Sequence, residues 1–213
     1  MRKAPGKTVF EIIVIDDGST DNSFQAIEDL VADNKVIYKR NGLNMGKGGS
    51  VQEGIKLANG NYILIQDADN EYSPTDIPKM LALIGSEKNK VIYGSRYLNE
   101  RGERSYRKYP GQNYGAWIFA KLFPYYVYFL TKTWISDPLT GYKIYPAKLF
   151  ESWQPITQGF ETDHEITCHL INKDYEIIET PIAYHPRSKK EGKKIKARDA
   201  LKAIYTFWKF RND

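Results

Sequence analysis

The chain is 213 residues long and 41% hydrophobic, and its 31 Lys and Arg against 26 Asp and Glu give a formal charge of +5. That length suits one large or two small domains, and the apolar share is enough for a buried core, which excludes a disordered chain. The longest charge-free stretch of the aromatic middle runs only from Tyr109 to Ala120, short of the about 18 apolar residues that a membrane-spanning helix needs. The opening MRKAPGKTVFEIIVIDD has no long apolar core or small-residue cleavage site, so no signal peptide is expected. Cys168 is the only cysteine and rules out an internal disulfide, which suits a reducing, cytoplasmic setting. The charge is uneven: from Pro186 onward ten Lys and Arg face three Asp and Glu, so the positive excess lies in the tail. Such a tail suits anionic lipid, a phosphorylated ligand or a solvated helix face. No nucleic-acid module or aromatic-basic groove accompanies it, so nucleic acid is not an expected partner.

Phe10 to Ile15 is a continuous apolar, β-branched-rich run that ends at Asp16, Asp17 and Gly18; it reads as a strand covered on both faces. Ser23 to Val31 has helical spacing, and Val36 to Tyr38 is a short strand. A Gly-rich loop, NMGKGG at Asn44 to Gly49, leads into a helix over Val51 to Ala58 that stops at Asn59 and Gly60. Tyr62 to Ile65 is the next buried strand and delivers Asp67 and Asp69. Ser73 followed by Pro74 starts a helix that runs to about Ile84. Val91 to Tyr93 is a strand that ends at Gly94, Ser95 and Arg96. This alternation predicts βαβ units in a mainly parallel, doubly wound α/β sheet. Residues 98–111 read as a polar, mobile loop and 112–132 as an aromatic amphipathic stretch; no repeat or linker divides the chain.

In an open parallel sheet, ligands bind at the carboxyl ends of the strands. Two strands place acids there: Asp16 and Asp17 from the first, Asp67, Asp69 and Glu71 from the third. Gathered carboxylates repel one another unless a cation sits among them, and hard oxygen donors suit Mg²⁺ or Mn²⁺; the alternative is that they cap the helices that follow. The three histidines, His164, His169 and His185, lack the spacing and cysteine partners of a zinc site.

The segments EIIVIDDGSTDNS, NMGKGGSVQEGIKLANGNYILIQDADNEYSP, YGSRY and DPLTGYKIY resemble, in this order, family-2 glycosyltransferases of the GT-A fold. The best match is the branch of dolichyl-phosphate mannose and glucose synthases and their bacterial polyprenyl-phosphate relatives, from about Phe10 to Arg211. The resemblance implies a single Rossmann-like GT-A domain: a nucleotide-sugar part over 1–97, an acceptor-side part over 98–185, and a basic loop with an amphipathic helix over 186–213. It implies that Ile15 and Asp17 touch the base and ribose of a nucleoside-diphosphate sugar and that Asp67 and Ala68 lie beside the nucleoside. Asp69 would hold the Mg²⁺ or Mn²⁺ ion on the diphosphate, with Glu71 as second ligand. Arg96 would face the diphosphate or an acceptor phosphate, and Asp137 of DPLTG would act as a base or orient the acceptor, unless it is only a turn residue before Pro138. Arg187 and Lys193 match the phosphate-contacting residues of a flexible basic loop. The acids of FETDHE, Glu161 to Glu165, match the family's acidic helix start and equally suit a helix N-terminus, so they are not placed in the catalytic set.

The implied reaction is metal-dependent inverting transfer of the sugar to a dolichyl or undecaprenyl phosphate. The growing charge on the leaving diphosphate calls for a metal and Arg or Lys. A lipid phosphate is already an anionic nucleophile, whereas a saccharide or other hydroxyl acceptor needs a base. Ala197, Leu201, Ile204 and Trp208 share a helical face, with Ala200 and Phe207 adjoining, beside Lys196, Arg198, Lys202, Lys209 and Arg211; this basic amphipathic helix suits peripheral attachment at a membrane face or packing on the domain. Family members usually begin with a further strand, which ends in a Pro-x-Tyr-Asn-Glu type motif, and a helix, before the DDGSTD segment that here starts at Asp16. An exposed edge beside the first strand would then favour homo-oligomer formation, and a non-catalytic nucleotide- or membrane-binding remnant is the alternative to an enzyme.

Overall fold

The computed structural model describes residues 10–85, 89–105, 108–109, 112–187 and 197–212. β1 (Ile13–Asp16) and β2 (Ile37–Arg40) form a parallel pair in the register Ile13 to Ile37. A second sheet contains β3 (Tyr62–Ile65), β4 (Lys90–Ser95), β5 (Lys143–Pro146) and β6 (Glu176–Pro181) in the order β3-β5-β4-β6. The α/β alternation is as the sequence predicts, but the sheet is mixed rather than mainly parallel, because β5 runs antiparallel to both β3 and β4. Antiparallel entry has a consequence for the site. The loop before β5, residues 137–142, meets the loops that follow β3, β4 and β6 at one sheet edge. Hydrophobic pattern cannot report strand direction, so this reversal is invisible in the residues of β5 alone.

The helices are α1 (Glu28–Ala32), α2 (Gly46–Leu57), α3 (Ile77–Ala82), α4 (Tyr114–Thr131), α5 (Thr162–Asn172) and α6 (Ala197–Phe210). Side chains alternate across β4: Val91 and Tyr93 pack with Ile166 and Leu170 of α5 on one face, and Ile92 packs with Met80 of α3 and Ile182 on the other. Val51 and Ile55 of α2 join the first cluster beside Ile63 and Ile65 of β3, and Gly54 of the same helix lies against Ile15 of β1. Thus α2 spans both sheets. Glu11 adds a tie by accepting hydrogen bonds from the backbone N–H and Nδ2 of Asn59 at 2.9 and 3.0 Å. Among the described residues β1 pairs only with β2, and β3 only with β5.

Ser73 starts its helix as predicted, its Oγ accepting the Thr75 N–H, although the first turn, Pro74–Asp76, is a 3-10 turn. The NMGKGG run is not a loop: α2 begins inside it, at Gly46. Glycine is required there because Gly46 has φ +78° and a Cβ at Gly48 would stand 1.9 Å from Thr162 Oγ1 and 2.7 Å from the Gln158 carbonyl carbon. A Gly-to-Ala change inside an exposed helix gains roughly 1 kcal/mol; Gly48→Ala should instead lose about 1–3 kcal/mol through overpacking, and a urea denaturation curve that shows a gain would contradict this packing.

The 98–111 stretch, expected to be mobile, is pinned in its described part. Leu98 bridges Arg104, Tyr109 Oη donates to the Arg96 carbonyl at 2.6 Å, and Arg104 Nη2 reaches the carbonyls of Ala120 and Lys121 at 3.2 and 3.0 Å. The last contacts have a local cause. Pro124 lies inside α4 and has no N–H to give the Ala120 carbonyl four residues back, and Arg104 supplies the donor. The face of α6 that packs on the domain, left open by the sequence, is the one with Ala203, Phe207 and Phe210, joined by Ile204, which lie on Phe123 and Val127 of α4 and Cys168 of α5. Leu201, Tyr205 and Trp208 are left exposed on the helix. Apolar residues wrap more than one face of α6, so spacing alone does not decide which face packs.

Candidate active site

Strand ends place the candidate residues. After β3, the turn holds Asp67, exposed Ala68, Asp69 and then Glu71, which is buried. Asp69 Oδ1 accepts the Glu71 N–H at 3.0 Å, which orders the turn from within. The segment after β6 crosses this turn through a Tyr72–Tyr184 bridge, and His185 donates its N–H to the Glu71 carbonyl at 2.9 Å. That crossing delivers Arg187. Its Nη2 lies 2.6 Å from Asp69 Oδ2, its backbone N–H 2.9 Å from Glu71 Oε1 and its Nε 3.5 Å from the same oxygen. Glu71 Oε2 accepts from Tyr184 Oη at 3.1 Å.

Behind this pair stands Arg96, at the end of β4. Its Nε and Nη2 each lie 2.7 Å from one oxygen of Asp137, and its backbone N–H donates to Asp137 Oδ2 at 3.1 Å. The guanidinium stacks over Tyr184, 5.1 Å from the ring centre, and over Tyr97 at 5.6 Å. Asp137 is 1% exposed, and its turn is fixed by Glu179 of β6, whose carboxylate accepts the N–H of Ser136, the Ser136 hydroxyl and the N–H of Asp137 at 2.7, 2.7 and 3.1 Å. Burial opposes the charge on Arg96, but the facing carboxylate outweighs it and raises the guanidinium well above its ordinary range. Burial pushes the Glu179 carboxyl up. Both oxygens of Asp137 are engaged by Arg96, so its contacts suit orienting that arginine better than abstracting a proton.

On the other side of the turn, Lys47 Nζ is 3.0 Å from Asp67 Oδ2 and 3.0 Å from Asp163 Oδ2. Burial raises the Asp67 carboxyl despite that lysine. Asp17 lies at the start of α2, where its carboxylate accepts the N–H groups of Met45 and Gly46 at 2.7 and 2.8 Å and Asn41 Nδ2 at 2.9 Å. Burial opposes the charge of Asp17, yet these donors hold its carboxyl below the usual range. Asp16 turns to the other face of β1, where Ser19 and Tyr38 hold it at about 2. Ile15, half-buried in β1, touches α2 at Gly54. A chain of contacts therefore joins Asp17, through the first turn of α2, to Asp67, and the short turn after β3 carries it on to Asp69, Glu71, Arg187, Arg96 and Asp137. Lys193 lies outside the described residues.

Reading the residues alone missed Lys47, Tyr184 and Glu179, and set Asp163 aside as one of the acids at a helix start. Lys47 carried a signal, as the one charged residue of a glycine run; Tyr184 and Glu179 carried none. Of the histidines, His164 is buried and held neutral, at about 3, by desolvation, and His169 stacks on Trp153 with ring centres 4.0 Å apart. Neither serves the cleft.

The donor chemistry of the turn fits a divalent cation: two carboxylates, Asp69 and Glu71, already converge on one positive group, the Arg187 guanidinium. Among the described residues no cluster of three or more His, Cys, Asp or Glu could hold a metal, so an ion here would complete its shell with ligand oxygens or water, as Mg²⁺ commonly does. Arg187 and such an ion would compete. A partly exposed ion pair is worth on the order of 1 kcal/mol, so Arg187→Ala should tighten Mn²⁺ binding in the absence of nucleotide by about fivefold. Calorimetric titration checks this, and unchanged or weaker binding would contradict the competition.

The comparisons with known proteins bear on the family and the fold. Residues 2–153 match the family model described as glycosyl transferase family 2. The dolichyl-phosphate beta-glucosyltransferase of Saccharomyces cerevisiae is 28% identical over 194 residues, covering 83% of this chain and 57% of that protein. The dolichol-phosphate mannosyltransferase of Pyrococcus furiosus is 27% identical over 212 residues, covering 96% of this chain and 56% of that protein. The chain thus spans little more than half the length of these two relatives. Among solved structures, glucosyl-3-phosphoglycerate synthase from Mycobacterium tuberculosis, in complex with Mn²⁺, uridine diphosphate and phosphoglyceric acid, superposes with a TM-score of 0.66 at 17% identity, over 95% of this chain and 68% of that one. That likeness shows a shared α/β fold of the GT-A type. With the family model matching most of the chain and the motif loops meeting at one sheet edge, the chain belongs to glycosyl transferase family 2.

Proposed function

We propose that this domain catalyses metal-dependent, inverting transfer of a sugar from a nucleoside-diphosphate donor to a polyprenyl phosphate at a membrane face. The observation that carries the reading is the convergence of Asp69, Glu71, Arg187 and the Arg96–Asp137 pair at one edge. The donor's nucleoside would lie along Ile15, Asp17, Asp67 and Ala68, and its diphosphate against Asp69 and Glu71. A Mg²⁺ or Mn²⁺ ion bound there would supply Lewis-acid stabilisation of the leaving diphosphate. Arg187 and Lys193 would turn to the same phosphates, and Arg96, held in its fork by Asp137, would stabilise phosphate charge without reorganising. An oxygen of the acceptor phosphate attacks the anomeric carbon as the bond from that carbon to the diphosphate oxygen breaks; one displacement inverts the configuration.

One observation favours a phosphate acceptor over a hydroxyl. Asp137, the expected base, has both oxygens engaged by Arg96, and an anionic nucleophile needs no base. The membrane part rests on exposed apolar residues beside basic ones: Leu122, Tyr125 and Phe129 on α4 with Lys121 and Lys132, and Leu201, Tyr205 and Trp208 on α6 with Lys209 and Arg211. No helix among the described residues is long and apolar enough to cross a membrane. The test supplies radiolabelled UDP-glucose or GDP-mannose, Mn²⁺ and undecaprenyl phosphate in vesicles of rising anionic lipid content. Label should move into an organic-extractable, acid-labile product, faster as the anionic fraction rises. A water-soluble glycan product would contradict the acceptor, and a rate indifferent to anionic lipid would contradict the membrane contact.

A further inference from the structure

Beside Asp67, two residues not matched to the reaction, Lys47 and Asp163, lie close enough to act on it. The glycines at 46 and 48 let the first turn of α2 lie directly against the segment that leads into α5. Glu165 holds that segment from the other side by accepting the N–H groups of Ile156 and Thr157 at 2.8 and 2.9 Å, and the Gly49 N–H donates to the Gln158 carbonyl at 3.2 Å. The close approach carries Lys47 between Asp67, at the end of β3, and Asp163, in the first turn of α5. A third loop closes over it: a Cβ at Gly141 would stand 3.0 Å from Lys47 Nζ and 3.3 Å from Asp67 Oδ2. Three motif loops from distant parts of the chain therefore converge on one ammonium group.

The cluster is built for a fixed charge. Side-chain exposure is 16% for Lys47 and 11% for Asp163, against 31% for Asp67, so the lysine and its rear anchor are inside and only the front carboxylate opens to the cleft. Burial acts against the charge on Lys47, and the two carboxylates overrule it. Behind Asp163, Lys143 is fully buried and donates to the Asp163 carbonyl and to Thr167 Oγ1, both at 3.2 Å.

We infer that Lys47 and Asp163 are positioning residues for donor binding: Asp163 anchors the ammonium of Lys47, which in turn aims and holds the carboxylate of Asp67. This rests on the reading of the Asp67 side as the nucleotide cleft. It gives the acidic start of α5 a task that capping alone would not: to fix a carboxylate on another strand through an intervening cation.

The test is calorimetric titration of uridine diphosphate and guanosine diphosphate, each with MnCl2, into the wild-type chain and into Lys47→Met, Lys47→Arg, Asp163→Asn and the Lys47→Met/Asp163→Asn double variant, with thermal melting of each. Wild type should bind one of the two nucleotides. Lys47→Met should weaken it at least tenfold and Asp163→Asn severalfold, Lys47→Arg should recover part of the loss, and the double variant should bind no worse than Lys47→Met, because both changes act through one contact. Lys47→Met binding within twofold of wild type, or losses that multiply in the double variant, would overturn the role. If Lys47→Met does not fold, Lys47→Arg and Asp163→Asn carry the test, and wild-type affinity in both would overturn it. Wild type binding neither nucleotide is a separate result: it would remove the cleft reading and the positioning role with it.

Discussion

Arg96→Lys should lower turnover by about 10²–10³-fold with donor and Mn²⁺ saturating, the range seen when one preorganised donor to developing charge is lost. Lysine keeps the charge but not the planar fork, so it cannot repeat two 2.7 Å bonds to the two oxygens of Asp137. The expected effect is on the rate of the chemical step rather than on donor KM, because Asp137 and the Tyr184 face fix the direction of the guanidinium. Arg96→Met is the poorer experiment: it would strand Asp137, buried and charged, at a cost of roughly 3–5 kcal/mol, and mix folding with catalysis. Steady-state kinetics of Arg96→Lys beside its melting curve separates the two. A variant with wild-type turnover would remove Arg96 from the phosphate site.

Asp69→Asn should abolish metal-dependent release of nucleoside diphosphate, with a fall of about 10³-fold or more, since among the described residues the carboxylate is one of the two proposed to hold the cation and the amide is a much weaker ligand for a hard ion. Fold stability should barely change. In the structure Asp69 is partly exposed; Oδ1 accepts the local Glu71 N–H, a bond that the asparagine carbonyl can also accept, and the Oδ2 contact with Arg187 is a partly exposed pair worth about 1 kcal/mol. Initial rates across a Mn²⁺ series check the prediction; a variant whose rate still rises with Mn²⁺ as wild type does would place the metal elsewhere.

Several elements of the N-terminal half were legible because their signals are local, although the helix expected over Ser23 to Val31 forms only from Glu28 to Ala32. Tyr62–Ile65 is a short apolar run between turn residues, and Ser73 and Pro74 mark a helix start by their own chemistry. The Gly-rich run was legible as special but not as helical. Glycine spacing states that something approaches closely; only the packed Gln158–Thr162 segment states what. The reversal of β5 and the inner face of α6 were out of reach, because both are decided by which distant surface is free to be covered. The same divide runs through the site. Asp67, Asp69, Glu71, Arg96 and Asp137 sit in motifs that follow or precede strands, so a resemblance carried them. Glu179 and Tyr184 act by hydrogen bonding and stacking across the fold, and no spacing in the sequence connects them to Asp137 or Arg96.

The central claim is that Asp69 and Glu71 grip a divalent ion that also holds a nucleoside diphosphate. Electron paramagnetic resonance of Mn²⁺, titrated with the chain in the presence of uridine or guanosine diphosphate, tests it most directly. The expected result is loss of the free-Mn²⁺ signal beyond that caused by the nucleotide alone, and its return when Asp69→Asn replaces the wild-type chain. A free-Mn²⁺ signal that the wild-type chain leaves unchanged with either nucleotide would contradict the claim.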